Sequence, residues 1–254
     1  MKVIKALIKD FLLMLQFLTR VPINLSLPCE KENFKRGTMF FPVVGLVIGF
    51  FQWIVFFLLI RIFPSNTVAI FVLLVGILIT GGLHIDGLGD TCDGFFAFKG
   101  KERIIEIMKD SRIGTYSCIA IIIDLLLKYT STTNLIVSGY SLGIIAAPVI
   151  AKTAFIFLFY IGKQAKAIGT GNLFIGNVGK KELLIATTLG CIITAILIGT
   201  VKALIITLIC FILTYVFNKF CESKIDGLTG DTLGANNEII EIVTLMLVLA
   251  VQII

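Results

Sequence analysis

Residues 66–94 read NTVAIFVLLVGILITGGLHIDGLGDTCDG. From Val68 to Ile79 there is no charged side chain, and the run leads through Gly81 and Gly82 to Asp86, Asp90 and Asp93. A helix that crosses a bilayer needs about 20 mainly apolar residues, and 66–85 meets that length. The rest of the chain agrees. Of 254 residues, 57% are hydrophobic and 15% charged, where soluble domains carry roughly 25% charge. The mean hydropathy is +1.03. Twenty-two basic and 16 acidic residues cannot supply the polar surface that a soluble globule of this length exposes. So apolar a composition excludes disorder as well. The six cysteines (Cys29, Cys92, Cys118, Cys191, Cys210 and Cys221) stand singly with no CxxC spacing, so neither a disulfide framework nor a zinc site is indicated.

The fold expected is all-α: one polytopic membrane bundle over residues 1–254. Seven spans are predicted, with six or eight left open, at about 39–60, 66–85, 113–127, 135–161, 183–201, 203–217 and 239–254. The fourth contains Gly139, Gly143 and Pro148 and is open to a kink or a split. In residues 1–20, Lys2, Lys5 and Lys9 recur at helical spacing among Val3, Ile4, Leu7, Ile8, Phe11 and Leu12. That pattern predicts an amphipathic helix lying on the membrane surface. On this layout 18 of the 22 basic residues fall on the side of the N-terminus, and only Arg61, Lys128 and Lys202 on the other. The positive-inside rule then places the N-terminus and the loops on its side in the cytoplasm of a cytoplasmic (inner) membrane. Topology and an anionic substrate account for the net charge of +6 without a nucleic acid partner. A homo-oligomer is left open.

The acids gather on that same side. Asp86, Asp90 and Asp93 are spaced i, i+4, i+7, one face of a helix. Like charges in register destabilise a helix, and near hydrocarbon the desolvation of a carboxylate adds to the cost. Oxygen-rich clusters of this kind suit Mg²⁺, which binds through a few carboxylates, water and substrate phosphates. The neighbouring Gly81, Gly82, Gly87 and Gly89 allow backbone or a bulky ligand to approach. Downstream, Lys109 and Arg112 offer cations to a polyphosphate. A second acidic group, Asp231, Glu238 and Glu241, follows the sixth span in a predicted loop and the start of the seventh span, spaced 7 and 3 apart on one face. The two groups are expected to share one site, with the Gly- and Asn-rich 169–176 segment as a connector able to fold over it. Asp124 and Lys152 lie inside spans, where ionisable residues are usually paired, and they are candidates to pair with each other. His84, the only histidine, is as well suited to a structural role as to base catalysis.

At these residues the chain resembles the integral-membrane cobalamin synthases, the adenosylcobinamide-GDP ribazoletransferases. The resemblance rests on Gly81–Gly94, Ile107–Thr115 and Thr229–Ala235. It extends to Phe17–Pro22, Arg36-Gly37 with Phe41-Pro42, and Gly171–Gly176, in order over nearly the whole chain. It implies a Mg²⁺-dependent transferase that joins adenosylcobinamide-GDP with α-ribazole, or its 5′-phosphate, and releases GMP. With that reaction in view, Asp86, Asp90 and Asp93 are the expected catalytic metal ligands, with Asp93 as proton acceptor. Asp231 and Glu238 would hold a second metal or orient the ribazole. Lys109, Arg112, Asn172, Lys152, Arg20 and Arg36 are the expected substrate-binding residues. Lys152 stands where many relatives are expected to have arginine, so a phosphate clamp there would act as a point charge. Phe95, Phe96 and Phe98 are candidates for gripping the corrinoid. The alternative from another class is a transporter or channel, which predicts carboxylates near the bilayer midplane on broken helices.

Overall fold

A membrane interior offers no water to hydrogen-bond the backbone, so each apolar segment satisfies its own amides as a helix. The computed structural model describes residues 2–166 and 169–251. Its helices run α1 (Lys2–Leu18), α2 (Lys31–Gly37), α3 (Phe41–Leu59), α4 (Ser65–Thr80), α5 (Leu83–Phe95), α6 (Lys101–Ile107), α7 (Thr115–Val137), α8 (Gly143–Ile161), α9 (Lys180–Ile198), α10 (Thr200–Ile225) and α11 (Gly230–Ala250). Among the described residues there is no strand, only an isolated bridge between Gln164 and Leu228. Six helices are long and apolar enough to cross a membrane, α2 and α3 counting as one continuous helix from Lys31 to Leu59. The pair α4 and α5 supplies a seventh apolar stretch, but it is bent by 88°. The protein is a polytopic helical membrane bundle.

The span expected at 66–85 therefore stops at Thr80. Gly81 and Gly82 both take left-handed backbone, with φ of 65° and 72°. Their amides close the end of α4 on the carbonyls of Leu78 and Ile77. Only glycine adopts that conformation without a steric cost. The Arg20 side chain fills the space beside Gly81, where a Cβ would lie 2.4 Å from Arg20 Nε. Beyond the turn, α5 departs from the α4 axis by 88° and is not itself among the six helices long and apolar enough to cross a membrane.

Spans three and four were expected at 113–127 and 135–161; they lie at 115–137 and 143–161. The polar stretch from Lys128 to Asn134 looks like a loop but continues α7. Lys128 is neutralised by acids on neighbouring turns and on α11, and the Thr130 hydroxyl donates to the Leu126 carbonyl, 2.8 Å away. Lys128 thus leaves the far side of the basic count, where Arg61 and Lys202 remain. The last span was expected from 239; α11 begins at Gly230, because Thr229 caps it and exchanges hydrogen bonds with Thr232.

The core is organised on α8, buried along nearly its whole length. It meets α3 at Gly45 and Gly49. A Cβ on Gly45 would stand 2.4 Å from the Pro148 carbonyl oxygen, and one on Gly49 2.7 Å from the Ile145 Cα. Small residues four apart let two membrane helices approach this closely. Gly45→Ala is expected to cost about 1–3 kcal/mol, read as a lowered melting temperature of the purified protein in detergent.

The N-terminal segment and the loops before α6, α9 and α11 gather at one end. The Arg20 amide donates to the Ile79 carbonyl (2.6 Å), Lys101 pairs with Asp226 (2.8 Å), and the Leu228 amide donates to the Lys163 carbonyl (2.7 Å). At the opposite end the Trp53 indole donates to the Ser141 hydroxyl (3.3 Å), and Lys202 sits over the Tyr140 ring.

Candidate active site

Helix α5 is the platform. It packs against the N-terminal ends of α7 and α11, and its glycines permit the approach. A Cβ on Gly87 would lie 2.7 Å from the Asp231 carbonyl oxygen. Close packing here brings Asp231, in the first turn of α11, beside the acidic face of α5. Asp90 sits in the middle. Burial, followed by the charges of Asp86, Asp231 and Asp93, pushes its carboxyl up to about 7. Among the described residues no basic group pairs with Asp86, Asp90 or Asp231 within 4.0 Å. Lys166, from the loop before α9, is near enough for its charge to act on Asp231.

Asp93 is tied differently. Its two carboxylate oxygens accept the amides of Gly114 (2.6 Å) and Ser117 (2.9 Å), so it caps the start of α7. Gly114 is needed for space, since a Cβ there would meet Asp93 oxygens at 2.5 and 2.6 Å. Beside Asp93 opens a polar groove of about 430 Å³, lined also by Arg103, Asp110 and Arg112. Arg112 grips Asp110 through two nitrogens at 3.0 and 2.6 Å. That contact holds the exposed Asp110 carboxyl down at about 2. Lys109 is exposed nearby. At the other end of α5, a cavity of about 110 Å³ reaches Asp86 and Asp231.

The remaining expected site residues fall into two groups. Arg20 lies against Gly81 at the entry to α5. The Asn172 side chain donates to the Lys166 carbonyl (2.9 Å) and shapes the loop whose Gly171 rests on Gly230. Arg36 is engaged by the buried Asp10 through Nε (2.5 Å) and Nη2 (3.1 Å). Phe95 is core, packed on Phe220, whereas Phe96 and Phe98 are exposed.

Lys152 and Glu238 sit deeper than expected. Lys152 is fully buried, with Nζ 2.8 Å from His84 Nε2 and 2.6 Å from Asn237 Oδ1. A phosphate does not fit that placement. Glu238 is bonded to Lys128, which also lies 3.3 Å from Glu241 and 3.5 Å from Asp124. Asn237 links the two lysines by donating to Glu238 and Glu241. Asp124 therefore meets Lys128 and not Lys152, and Glu238 belongs to this buried network instead of the acidic face of α5. Asp124, Lys128, Glu238 and Glu241 lie on α7 and α11, and Lys152 with Asn237 joins them to His84, just past the break between α4 and α5.

The profile of the family described as Cobalamin-5-phosphate synthase matches residues 10–249. The chain belongs to this family. It is 52% identical over 244 residues to the adenosylcobinamide-GDP ribazoletransferase of Clostridium tetani (strain Massachusetts / E88), covering 96% of this chain and 97% of that one. It is 50% identical over 246 residues to the protein of the same name from Clostridium kluyveri (strain ATCC 8527), with 96% and 97% covered. It is 48% identical over 245 residues to that of Clostridium botulinum (strain Langeland), with 96% and 99% covered. No solved structure matches the chain.

For this member of the cobalamin-5-phosphate synthase family, sequence reasoning missed Lys128, Asn237 and Lys166. The signals were present. Lys128 follows Asp124 by one helical turn, Asn237 adjoins Glu238, and Lys166 precedes the Gly- and Asn-rich loop.

Proposed function

We propose that this chain is a membrane-embedded transferase. It joins adenosylcobinamide-GDP to α-ribazole, or to α-ribazole 5′-phosphate, and releases GMP. The observation that carries the proposal is the acidic face of Asp86, Asp90 and Asp231. Among the described residues none of these carboxylates has a basic group within 4.0 Å, and Lys166 acts on Asp231 only by its charge. Asp86 and Asp231 line a cavity at one end of α5, with the polar groove at Asp93 at the other. Among the described residues no three His, Cys, Asp or Glu side chains converge to enclose a metal ion unaided. The donor set still fits Mg²⁺, which takes one or two carboxylates and completes its shell with water and substrate phosphates. One or two of Asp86, Asp90 and Asp231 would hold it, with water and substrate phosphates completing the shell. Bound there, Mg²⁺ supplies charge neutralisation for a pyrophosphate in transfer.

The chain's own groups do the rest. The acceptor's 5′-hydroxyl oxygen attacks the phosphorus on the cobinamide side of the pyrophosphate, and the bond from that phosphorus to the GMP oxygen breaks. Arg103 and Arg112 line the groove at the Asp93 end paired with Glu106 and Asp110, so a phosphate there would exchange with those carboxylates for the guanidinium groups. Asp93 holds the start of α7 in place. With its oxygens committed to two amides it is less available for the hydroxyl proton, and Asp90 or Asp86 takes that role. Lys166 and Arg20 frame the other end.

The basic bias supports a reading in which this end of the bundle faces the cytoplasm, in a cytoplasmic membrane, with α1 along the interface. The test is an assay of the purified protein in detergent or proteoliposomes with adenosylcobinamide-GDP and each acceptor. GMP and a cobalamin product are expected with Mg²⁺, and under about 1% of that rate in chelator. Equal turnover without divalent cations would remove the metal from the proposal.

A further inference from the structure

We infer that the polar cavity inside the bundle, beside Asp124, binds one monovalent alkali cation. The cavity measures about 50 Å³ and lies between α3, α4, α7, α8 and α11, with His84 of α5 also in its wall. A single water needs roughly 10–15 Å³ on this measure, so an ion fits together with a few waters. Asp124, Lys128, Glu238 and Glu241 all line it. Three of these four satisfy one another. Asn237 donates to Glu238 (3.2 Å) and Glu241 (3.0 Å), and Lys128 is bonded to Glu238 and stands 3.3 Å from Glu241. Asp124 is left over. It is 1% exposed, Lys128 comes no nearer to it than 3.5 Å, and among the described residues neither of its oxygens accepts a hydrogen bond.

Charge selects the ligand. Helices α7 and α11 bring three carboxylates, Asp124, Glu238 and Glu241. The cations facing them are Lys128 and, through Asn237, Lys152. The lining from α3 and α4 is uncharged, and α5 contributes only His84, whose Nε2 meets Lys152 at 2.8 Å. Two lysines against three carboxylates leave one negative charge over, on helices that span the membrane, where an uncompensated charge is expensive. One monovalent cation closes that balance, whereas a divalent ion would leave a positive charge in its place. The donors are oxygens, which hard cations take together with water. They are the Asp124 carboxylate, the Thr132 hydroxyl and the Gln52 amide, whose nitrogen is spent on the Val72 carbonyl (3.3 Å). A proton on Asp124 would also balance the charge, but it would make a buried donor of an oxygen that has no hydrogen-bond partner here, and an unmet donor is costly. The site is separate from the acidic face of α5, since Asp86, Asp90 and Asp231 do not line this cavity.

The experiment uses the full chain purified in detergent, with chelator present to remove divalent ions. Na⁺ is titrated against choline at constant chloride and ionic strength, and both the melting temperature and bound radioactive Na⁺ are read. No substrate is needed, so the result is independent of the transferase reaction. Wild type is expected to bind one Na⁺ per chain and to melt about 3 °C or more higher in saturating Na⁺ than in choline. Asp124→Asn removes the surplus negative charge. It is expected to lose the bound Na⁺ and to melt at the same temperature in both salts, at or above wild type in choline. Thr132→Val keeps every charge and removes one oxygen donor, and is expected to weaken Na⁺ binding several-fold. No bound Na⁺ and equal melting temperatures in wild type would overturn the inference, as would Na⁺ binding that survives Asp124→Asn. A wild-type melting temperature that follows pH but not Na⁺ would give the missing charge to a proton and overturn it too. Should Asp124→Asn not fold, wild type and Thr132→Val decide: one Na⁺ per chain, weakened by the valine, supports the site, and binding that the valine leaves unchanged overturns it.

Discussion

Asp90→Asn is expected to reduce cobalamin formation about 100-fold or more while making the metal-free protein more stable above neutral pH. The first effect follows from its place in the middle of the acidic face. Removing a ligand that organises transition-state charge costs on the order of 3 kcal/mol, and each 1.36 kcal/mol is about tenfold in rate. The second effect follows from repulsion. In the folded protein the Asp90 carboxyl titrates at about 7, against roughly 3.9 in an unfolded chain. A raised carboxyl favours the fold below the unfolded value, and that contribution is lost as pH rises through 7. The asparagine variant lacks this loss. Without metal at pH 8 it should melt above wild type, and the gap should close toward pH 5. Mg²⁺ should raise the wild-type melting temperature more at pH 8 than at pH 6, and raise that of the variant less. Near-wild-type turnover of the variant at saturating Mg²⁺, or a lower melting temperature at pH 8 without metal, would sink the assignment.

Lys128→Met is expected to have the largest effect on folding. The substitution keeps roughly the length of the side chain and removes the cation that, among the described residues, pairs with Asp124, Glu238 and Glu241. Breaking a buried pair by removing one partner costs about 3–5 kcal/mol, because an uncompensated charge stays behind. Here three carboxylates lose their partner, and native stability is only about 5–15 kcal/mol. The variant should fail to give a monodisperse folded species in detergent. Adding Glu238→Gln removes one of the stranded charges and should restore part of the folded yield. A Lys128→Met protein with the wild-type melting temperature would show that the network carries no structural weight.

The membrane fold was legible because a bilayer leaves an apolar segment few options, and six of the seven expected runs correspond to helices long and apolar enough to cross, the other being the bent pair α4 and α5. The misplacements occur where polar residues enter the interior. Lys128 looked like a loop residue, since the glutamate that neutralises it lies 110 positions away. The start of α11 looked like a loop because Gly230 and Asp231 are poor helix residues in isolation, and the Thr229 cap outweighs that. The register of Asp86, Asp90 and Asp93 was visible because helical spacing is local. The capture of Asp93 by Gly114 and Ser117 was not, and neither was the retreat of Lys152 toward His84 and Asn237. Both depend on how separate helices meet. The cavity that reaches Asp86 and Asp231 escaped notice for the same reason, since its phenylalanines come from α1, α3, α8 and the loop before α9.

Because α5 turns 88° away from α4 and packs on α7 and α11, its acids are read out lengthwise, like marks on a scale. One residue inserted between Asp86 and Asp93 would swing the later mark by about 100° and carry it about 1.5 Å onward. Asp93 would then miss the amides of Gly114 and Ser117. The stretch can exchange letters at its outward positions but cannot change their number. Over evolutionary time the distance in residues between those two acids is the trait that selection would hold fixed, more tightly than the identity of what lies between them.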